Sequence, residues 1–563
     1  AITLGGGSLA GALYLGVISG YDMLWLQPLA MICGVIMLLS IAYVTMSTQE
    51  RPLELINENI SPVLGMAWLV ATIMANIVWC MPQFNLGRAA VQQNLMPSIG
   101  DSDPSTWAIC GTLFVVALIV NFFYGSGGAG IRIFEVILKI MVAIVVVSFF
   151  AVVVMLSSNG QLPWAEIRSG MIPDFGALFR PSGTFSELIA SSSNADWWTE
   201  KIAGEQRDKI MAAFATAVGI NMTFLLPYSL LKKGWGQEHR QMAKVDLSIG
   251  LIVPFVLATG CVVLAAASQF HGKTSDVLAE DGTINAKMKG AYTKIFDSIP
   301  GVAGDESFGT LKSELKDAQA ELAAAEAPDE ETLAALNEKV TAAAGAVDAR
   351  RMEISAALPE SDRNLAAMLA NRDNFNLANS LAPLAGDFVA QKVFGVGVLG
   401  MALSTIIILM LINGFAFCEM FGTPDSRFVH LLGCLIAGVG GIAGPFIWGN
   451  ADAKAALAIP TSVIGGALIP IAYYTFFLMM NSRRILGEHM PTGFSWFFGN
   501  VLMILATSIA TFASVWVLWG KASSSNVLLS RVAIGGLVGL AVLFVVGTLG
   551  FLAKNVVGDE AEY

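Results

Sequence analysis

Long apolar runs separated by short polar connections dominate this chain. A helix needs about 20 mostly apolar residues to cross a hydrocarbon core. Runs of that kind lie near residues 3–19, 23–47, 62–86, 106–124, 130–156, 209–231, 245–268, 393–418, 427–449, 455–480, 494–519 and 529–553. They predict twelve spans. Such lengths exclude barrel strands, and helices then satisfy the backbone inside lipid. The chain opens abruptly, without a Met and without a cleavable signal peptide, so the first span is expected to continue upstream of Ala1.

One stretch breaks the pattern. Residues 270–392 are hydrophilic, and within them residues 311–358 place Ala and Leu at helical spacing with Glu and Lys on the other face. The sequence Ala327-Pro328-Asp329-Glu330 interrupts this stretch, so a helical hairpin is predicted, with Asp329 capping the second arm. A solvated cap is the plain reading of that hairpin, and an assembly surface is the alternative.

Composition agrees with membrane burial. The chain is 55% hydrophobic and 13% charged, with a mean hydropathy of +0.66. A soluble protein this apolar could not cover its surface with polar groups. The net charge of −11 excludes a nucleic-acid binder, and most of the acid lies in the 270–392 insert. The six cysteines lie in or beside apolar runs without a CxxC pair, which fits neither a disulfide framework nor a zinc site. Lys232, Lys233, Arg240, Lys244, Arg483, Arg484, Arg51 and Arg132 fall in short loops of one side. That side is expected to be cytoplasmic, with both termini there, in a prokaryotic-type plasma membrane.

Two spans are interrupted. The first carries Gly5-Gly6-Gly7-Ser8, where the backbone unwinds easily and a new helix restarts with its positive dipole end at the break. Successive free N–H groups there suit an anion. In the sixth span, Asn221, Thr223, Phe224 and Tyr228 surround Pro227, which removes a helical hydrogen bond. A single break is commonly structural. Two at corresponding places, five spans apart, point to a midplane site in an inverted-repeat transporter. Ser404 and Thr405 of the eighth span either bond back to their own helix or complete an oxygen cage for Na⁺. Glu135 and Lys139 are spaced to pair on one helix face, Asp246 and Glu419 sit at span ends, and Asn76, Gln83, Asn85, Tyr473 and Tyr474 are further polar groups within spans.

Several stretches resemble the natural resistance-associated macrophage protein (Nramp) family of divalent-metal transporters. They are GYDMLWLQPLA (20–30), IRIFEVILKIMVAIVVVSFF (131–150), AVGINMTFLLPYSLL (217–231) and KVDLSIGL (244–251), with Glu419 matching the acidic residue that closes the eighth span. The resemblance implies an all-α LeuT-type fold with two inverted five-helix repeats. Residues 1–156 would form the first repeat and 209–269 with 393–480 the second. Residues 494–553 would add two C-terminal spans, and the 270–392 insert would lie outside the membrane. It also implies a transporter and not an enzyme.

The family's metal motif differs here. Its first-span Asp-Pro-Gly-Asn corresponds to Gly5, Gly6, Gly7 and Ser8, and its sixth-span Met-Pro-His to Leu226, Pro227 and Tyr228. A divalent cation in a low-dielectric site needs anionic or strongly coordinating partners. Met222 lies one helical turn from Leu226 and is expected to point away from the site. The expected substrate is therefore a small inorganic anion, bicarbonate foremost, bound by Gly5, Gly6, Gly7, Ser8, Asn221, Thr223, Phe224 and Tyr228. Na⁺ at Ser404 and Thr405 would be the coupling ion, with no other cofactor. The alternatives are a transporter of hydrated Mn²⁺ or Mg²⁺ and a transport-dead scaffold.

Overall fold

In the computed structural model, apolar runs become helices whose outward faces stay apolar. The structure describes residues 5–100, 102–123, 129–279, 281–325, 329–447, 458–524 and 526–555. Helices α1 (Gly6–Ser19), α2 (Leu26–Thr48), α3 (Pro62–Ala89), α4 (Asp103–Phe123) and α5 (Ala129–Ser158) come first. They are followed by α6 (Ala195–Ala215), α7 (Ile220–Lys232) and α8 (Arg240–Phe270). Past the insert come α9 (Phe394–Met420), α10 (Arg427–Ile447), α11 (Ala458–Ala467), α12 (Ile469–Met480), α13 (Gly493–Ala522) and α14 (Val527–Asn555).

Among the described residues, ten helical segments are long and apolar enough to cross a membrane. Of the twelve predicted spans, two fall outside that count. The 14-residue α1 is short, and α5 is described only in part. Large apolar side chains such as Ile119, Phe512, Val538 and Leu549 are exposed. Water would penalise that surface, whereas hydrocarbon does not.

The compact unit of residues 1–178, 206–269 and 372–563 holds a core around α2, α3, α7 and α12. Trp68 is fully buried there, with its ring against Phe224 and Phe476. Its indole N–H donates to the Thr223 hydroxyl at 3.4 Å.

Helix breaks position everything that follows. The sixth span is split, but not at the expected place. Helix α6 ends at Ala215 and α7 begins at Ile220, so the chain unwinds at residues 216–219, while Pro227 lies inside α7. A prolyl φ is helical, and Pro227 costs one hydrogen bond, to the carbonyl four residues earlier. Gly219 explains the break better. A β-carbon there would overlap the Trp79 ring, so only glycine lets the chain pass. Gly219 and Gly5 are the N-caps of α7 and α1, both in extended conformation without a side-chain cap.

The second unit comprises residues 179–205 and 270–371. Its helical hairpin pairs Glu306–Ala324 with Glu330–Ala357. Asp329 caps the second arm by accepting from the Thr332 N–H at 2.7 Å, and Asp305 caps the first through Phe308. The Pro328 break lies outside the described residues. Arg350 clamps Asp305 at 2.6 Å, and Arg351 reaches Asp297 and Asp348. The Arg350 hydrogen bond, together with the Phe308 N–H, holds the Asp305 carboxyl below its ordinary range.

Candidate ion-binding site

A pocket of about 630 Å³, including its open mouth, lies between the start of α1 and the α6–α7 break. Gly5, Gly7 and Ser8 come from the start of α1, and Gly219, Asn221 and Met222 from the start of α7. Thr216 from the α6–α7 turn, Trp79, Pro82 and Gln83 from α3, Thr405 from α9 and Ser462 from α11 complete its polar and aromatic lining. Among the described residues, no Asp, Glu, Lys, Arg, His or Cys belongs to that lining. Among the described residues, no group of three or more His, Cys, Asp or Glu is arranged to hold a metal.

Local chemistry follows from the breaks. The first N–H groups of an α-helix have no acceptor within it. With glycine at both caps, α1 and α7 direct such donors and their positive dipole ends at one pocket. Ser8 Oγ donates to the Thr216 carbonyl at 3.0 Å and so ties the start of α1 to the α6–α7 break. Asn221 Oδ1 accepts from the Met222 N–H at 2.8 Å.

Pro82 lies inside α3 one residue before Gln83, whose Oε1 is buried without a partner among the described residues. The Trp79 indole N–H is likewise buried and unpartnered. An acceptor and a donor at a pocket wall, both desolvated and unused, each carry a penalty of about 1–3 kcal/mol that a bound ligand can remove.

The expected site residues separate into two groups. Gly5, Gly7, Ser8, Asn221 and Thr405 line the pocket. Gly6, Thr223, Phe224, Tyr228 and Ser404 do not. A β-carbon on Gly6 would overlap Leu86, which shows how closely α3 packs on it. Thr223 is fully buried, donating to the Ile220 carbonyl at 2.5 Å and accepting from Trp68. Phe224 and Tyr228 stack on each other at 4.8 Å, farther along α7. The helical period turns Thr223 away from Asn221, whereas Tyr228 lies two turns beyond Asn221 on nearly the same side and is kept from the pocket by its depth along α7. Ser404 Oγ is buried and bonds back to Met401 at 3.0 Å. Thr405 also bonds Met401, yet its Oγ1 lies 2.8 Å from where a Gly5 β-carbon would sit.

Sequence reasoning missed Trp79, Thr216 and Ser462, and misjudged Met222. Met222 points into the pocket because α7 starts at Ile220, which places its third residue at the pocket wall. Of the remaining polar groups, Asn85 accepts from Arg88, Tyr473 is in the core, and Tyr474 bonds Thr548. Asp246 is exposed. The Glu135 side chain lies outside the described residues, so its pairing with Lys139 does too.

A family model described as natural resistance-associated macrophage protein-like matches residues 1–294 and 364–520. The chain belongs to the Nramp family. The gap in the match falls within the hydrophilic insert, so the Nramp scaffold and the added hairpin are separable in sequence. Among solved structures, the chain is similar to the Eremococcus coleocola manganese transporter bound to an aromatic bis-isothiourea compound. That match has 14% identity and a TM-score of 0.56, covering 98% of this chain and 95% of the other. A mutant of the same transporter matches with 12% identity, a TM-score of 0.53 and the same coverage. No curated protein sequence matches the chain. The shared architecture is the LeuT-type fold of Nramp transporters, and the chain is an integral membrane protein of that family of transporters.

Proposed function

We propose that this Nramp-family transporter carries a small inorganic oxyanion, of which bicarbonate is the simplest candidate. The observation that supports it is the pocket itself. Two glycine-capped helix N-termini open on one cavity whose described lining holds no carboxylate. Oriented N–H groups and positive dipole ends stabilise an anion and oppose a cation. The Trp79 N–H adds a donor, and Gln83 Oε1 suits the hydroxyl of a protonated oxyanion. Entry of an anion against a negative-inside potential needs a driving ion. Na⁺ beside the Thr405 hydroxyl is our candidate, with the bound anion offsetting the field of α1, since hard cations take neutral oxygen ligands. Ser404, turned back on its own helix, is dropped from that set.

A second reading has support of a different kind. The solved relatives named above are manganese transporters, and family membership favours a divalent cation. The Met222 thioether and the Gln83 and Asn221 amides are groups a partly hydrated Mn²⁺ or Mg²⁺ could use. Titration calorimetry on the purified protein separates the two readings. Heat from bicarbonate in the presence of Na⁺, with none from Mn²⁺ or Mg²⁺, is expected. Saturable metal binding without bicarbonate binding would replace the first reading with the second.

A further inference from the structure

Below the pocket, toward the end of the molecule that carries Lys232, Lys233 and Arg240, the helices are closed by a run of stacked rings. The distribution of basic residues assigns this end to the cytoplasm. Trp68 of α3 lies 5.0 Å from Phe224 of α7, Phe224 stacks on Tyr228 at 4.8 Å, and Tyr228 lies parallel to Phe415 of α9 at 6.1 Å. At the outer end of this column, Arg51 pairs with Glu419 at 3.0 Å. The Glu419 side chain is only 6% exposed. Arg51 follows α2 and Glu419 ends α9, so the pair ties two helices together at that surface.

Two helices give the same order of layers. Along α7, pocket residues Asn221 and Met222 precede Phe224 and Tyr228, and Tyr228 lies about 10 Å beyond Asn221 at a helical rise of 1.5 Å per residue. Along α9, pocket residue Thr405 precedes Phe415 by about 15 Å and Glu419 by about 21 Å. Pocket, ring column and ion pair therefore lie in series.

One polar group sits between pocket and column. Asn76 is fully buried, and neither its amide nitrogen nor its amide oxygen has a partner among the described residues. It is seven residues before Gln83 on α3, on the same helix face, and two turns after Trp68. A dry, unpartnered amide favours any state in which water reaches it.

We propose that the Trp68–Phe224–Tyr228–Phe415 column, latched by Arg51 and Glu419, is the cytoplasmic gate of the pocket, and that opening the gate hydrates Asn76. The inference rests on the pocket being the substrate site, and holds for either ion. The orphaned amide biases the closed state toward opening, the latch biases it toward closure, and the balance sets how often the pocket faces the cytoplasm.

The test is a Met222→Cys variant of the full-length protein in vesicles, labelled by a membrane-impermeant thiol reagent from the cytoplasmic side. All six native cysteines are buried, which keeps the background low. Arg51→Glu and Glu419→Arg should each raise the labelling rate about fivefold, and the double charge swap should return it close to the starting value. Asn76→Leu should lower it about tenfold. Labelling indifferent to the latch singles, or singles that rise and a swap that fails to reverse them, would overturn the latch. A rate unchanged or raised in Asn76→Leu would remove Asn76 from the gate. Because the readout needs no transported ion, it is independent of which substrate reading survives.

Discussion

Replacing Gly7 with Asp puts a carboxylate into the pocket at the position that best accepts one. A β-carbon at Gly7 would meet the Thr216 methyl at 3.2 Å, a contact that a small shift relieves. The same change at Gly6 drives the new atom into Leu86, so loss of function there would report sterics and not charge. A carboxylate at Gly7 would lie about 5 Å from an ion held between the α1 and α7 N-termini. Two unit charges at that distance repel by about 3 kcal/mol at an effective dielectric constant near 20, and by about half of that where water enters. The anion should therefore bind between about 15-fold and 200-fold more weakly in Gly7→Asp. Gly7→Asn, equal in size and neutral, should lose far less. The assay is titration calorimetry with bicarbonate, beside Mn²⁺ and Mg²⁺, on both variants. Equal losses in the two variants would show that space alone decides, and undiminished anion binding in Gly7→Asp would refute the electrostatic reasoning.

Gln83→Leu removes a buried acceptor that has no partner among the described residues, so the melting temperature should hold or rise while anion affinity falls about tenfold. A fall in melting temperature would make Gln83 a structural residue. Thr405→Val should raise the Na⁺ concentration for half-maximal uptake about tenfold, whereas Ser404→Ala should change it less than about twofold, because only Thr405 reaches the pocket. Equal responses would remove the asymmetry between them. In the hairpin, Asp305 and Asp329 both have folded pKa values below 3.8, from Arg350 and from the Thr332 side chain and N–H respectively. Their contribution to stability is complete above the unfolded carboxylate pKa and is lost as pH falls through the folded values. Hydrogen exchange across residues 306–357, corrected for intrinsic rate, should accelerate at pH 3 relative to pH 6, and Asp305→Asn should show the loss already at pH 6. Protection that is the same at both values would contradict the linkage.

Spans were legible because lipid imposes one length and one solution on each. That the sixth span is interrupted was legible too, whereas the backbone before Gly5 in the first span lies outside the described residues. Where the sixth span breaks was not legible. Pro227 carries the stronger sequence signal, but Gly219 meets the Trp79 ring, a residue more than a hundred positions away, and no local pattern encodes that contact. Moving the break by two turns shifted the assignments along α7. Thr223 faces the core, Phe224 and Tyr228 lie deeper in the ring column, and Met222 reaches the pocket wall. Gln83 was visible as a polar residue in a span, yet its rank among Asn76, Asn85 and Tyr473 required knowing which face of α3 meets α1. Thr405 differed from Ser404 for the same reason, a rotation of about 100° along one helix. The Asp329 cap needed only its neighbours, and the local signal sufficed.

The central claim is that the pocket between two glycine-capped helix ends, uncharged among the described residues, selects an anion. Uptake into proteoliposomes tests it most directly, comparing labelled bicarbonate with Mn²⁺ and Mg²⁺, with and without an inward Na⁺ gradient. The account predicts Na⁺-dependent bicarbonate entry and no metal flux. Metal entry without bicarbonate entry would contradict it, and would mean that Met222, Gln83 and Asn221 hold a hydrated cation against the field of both helices.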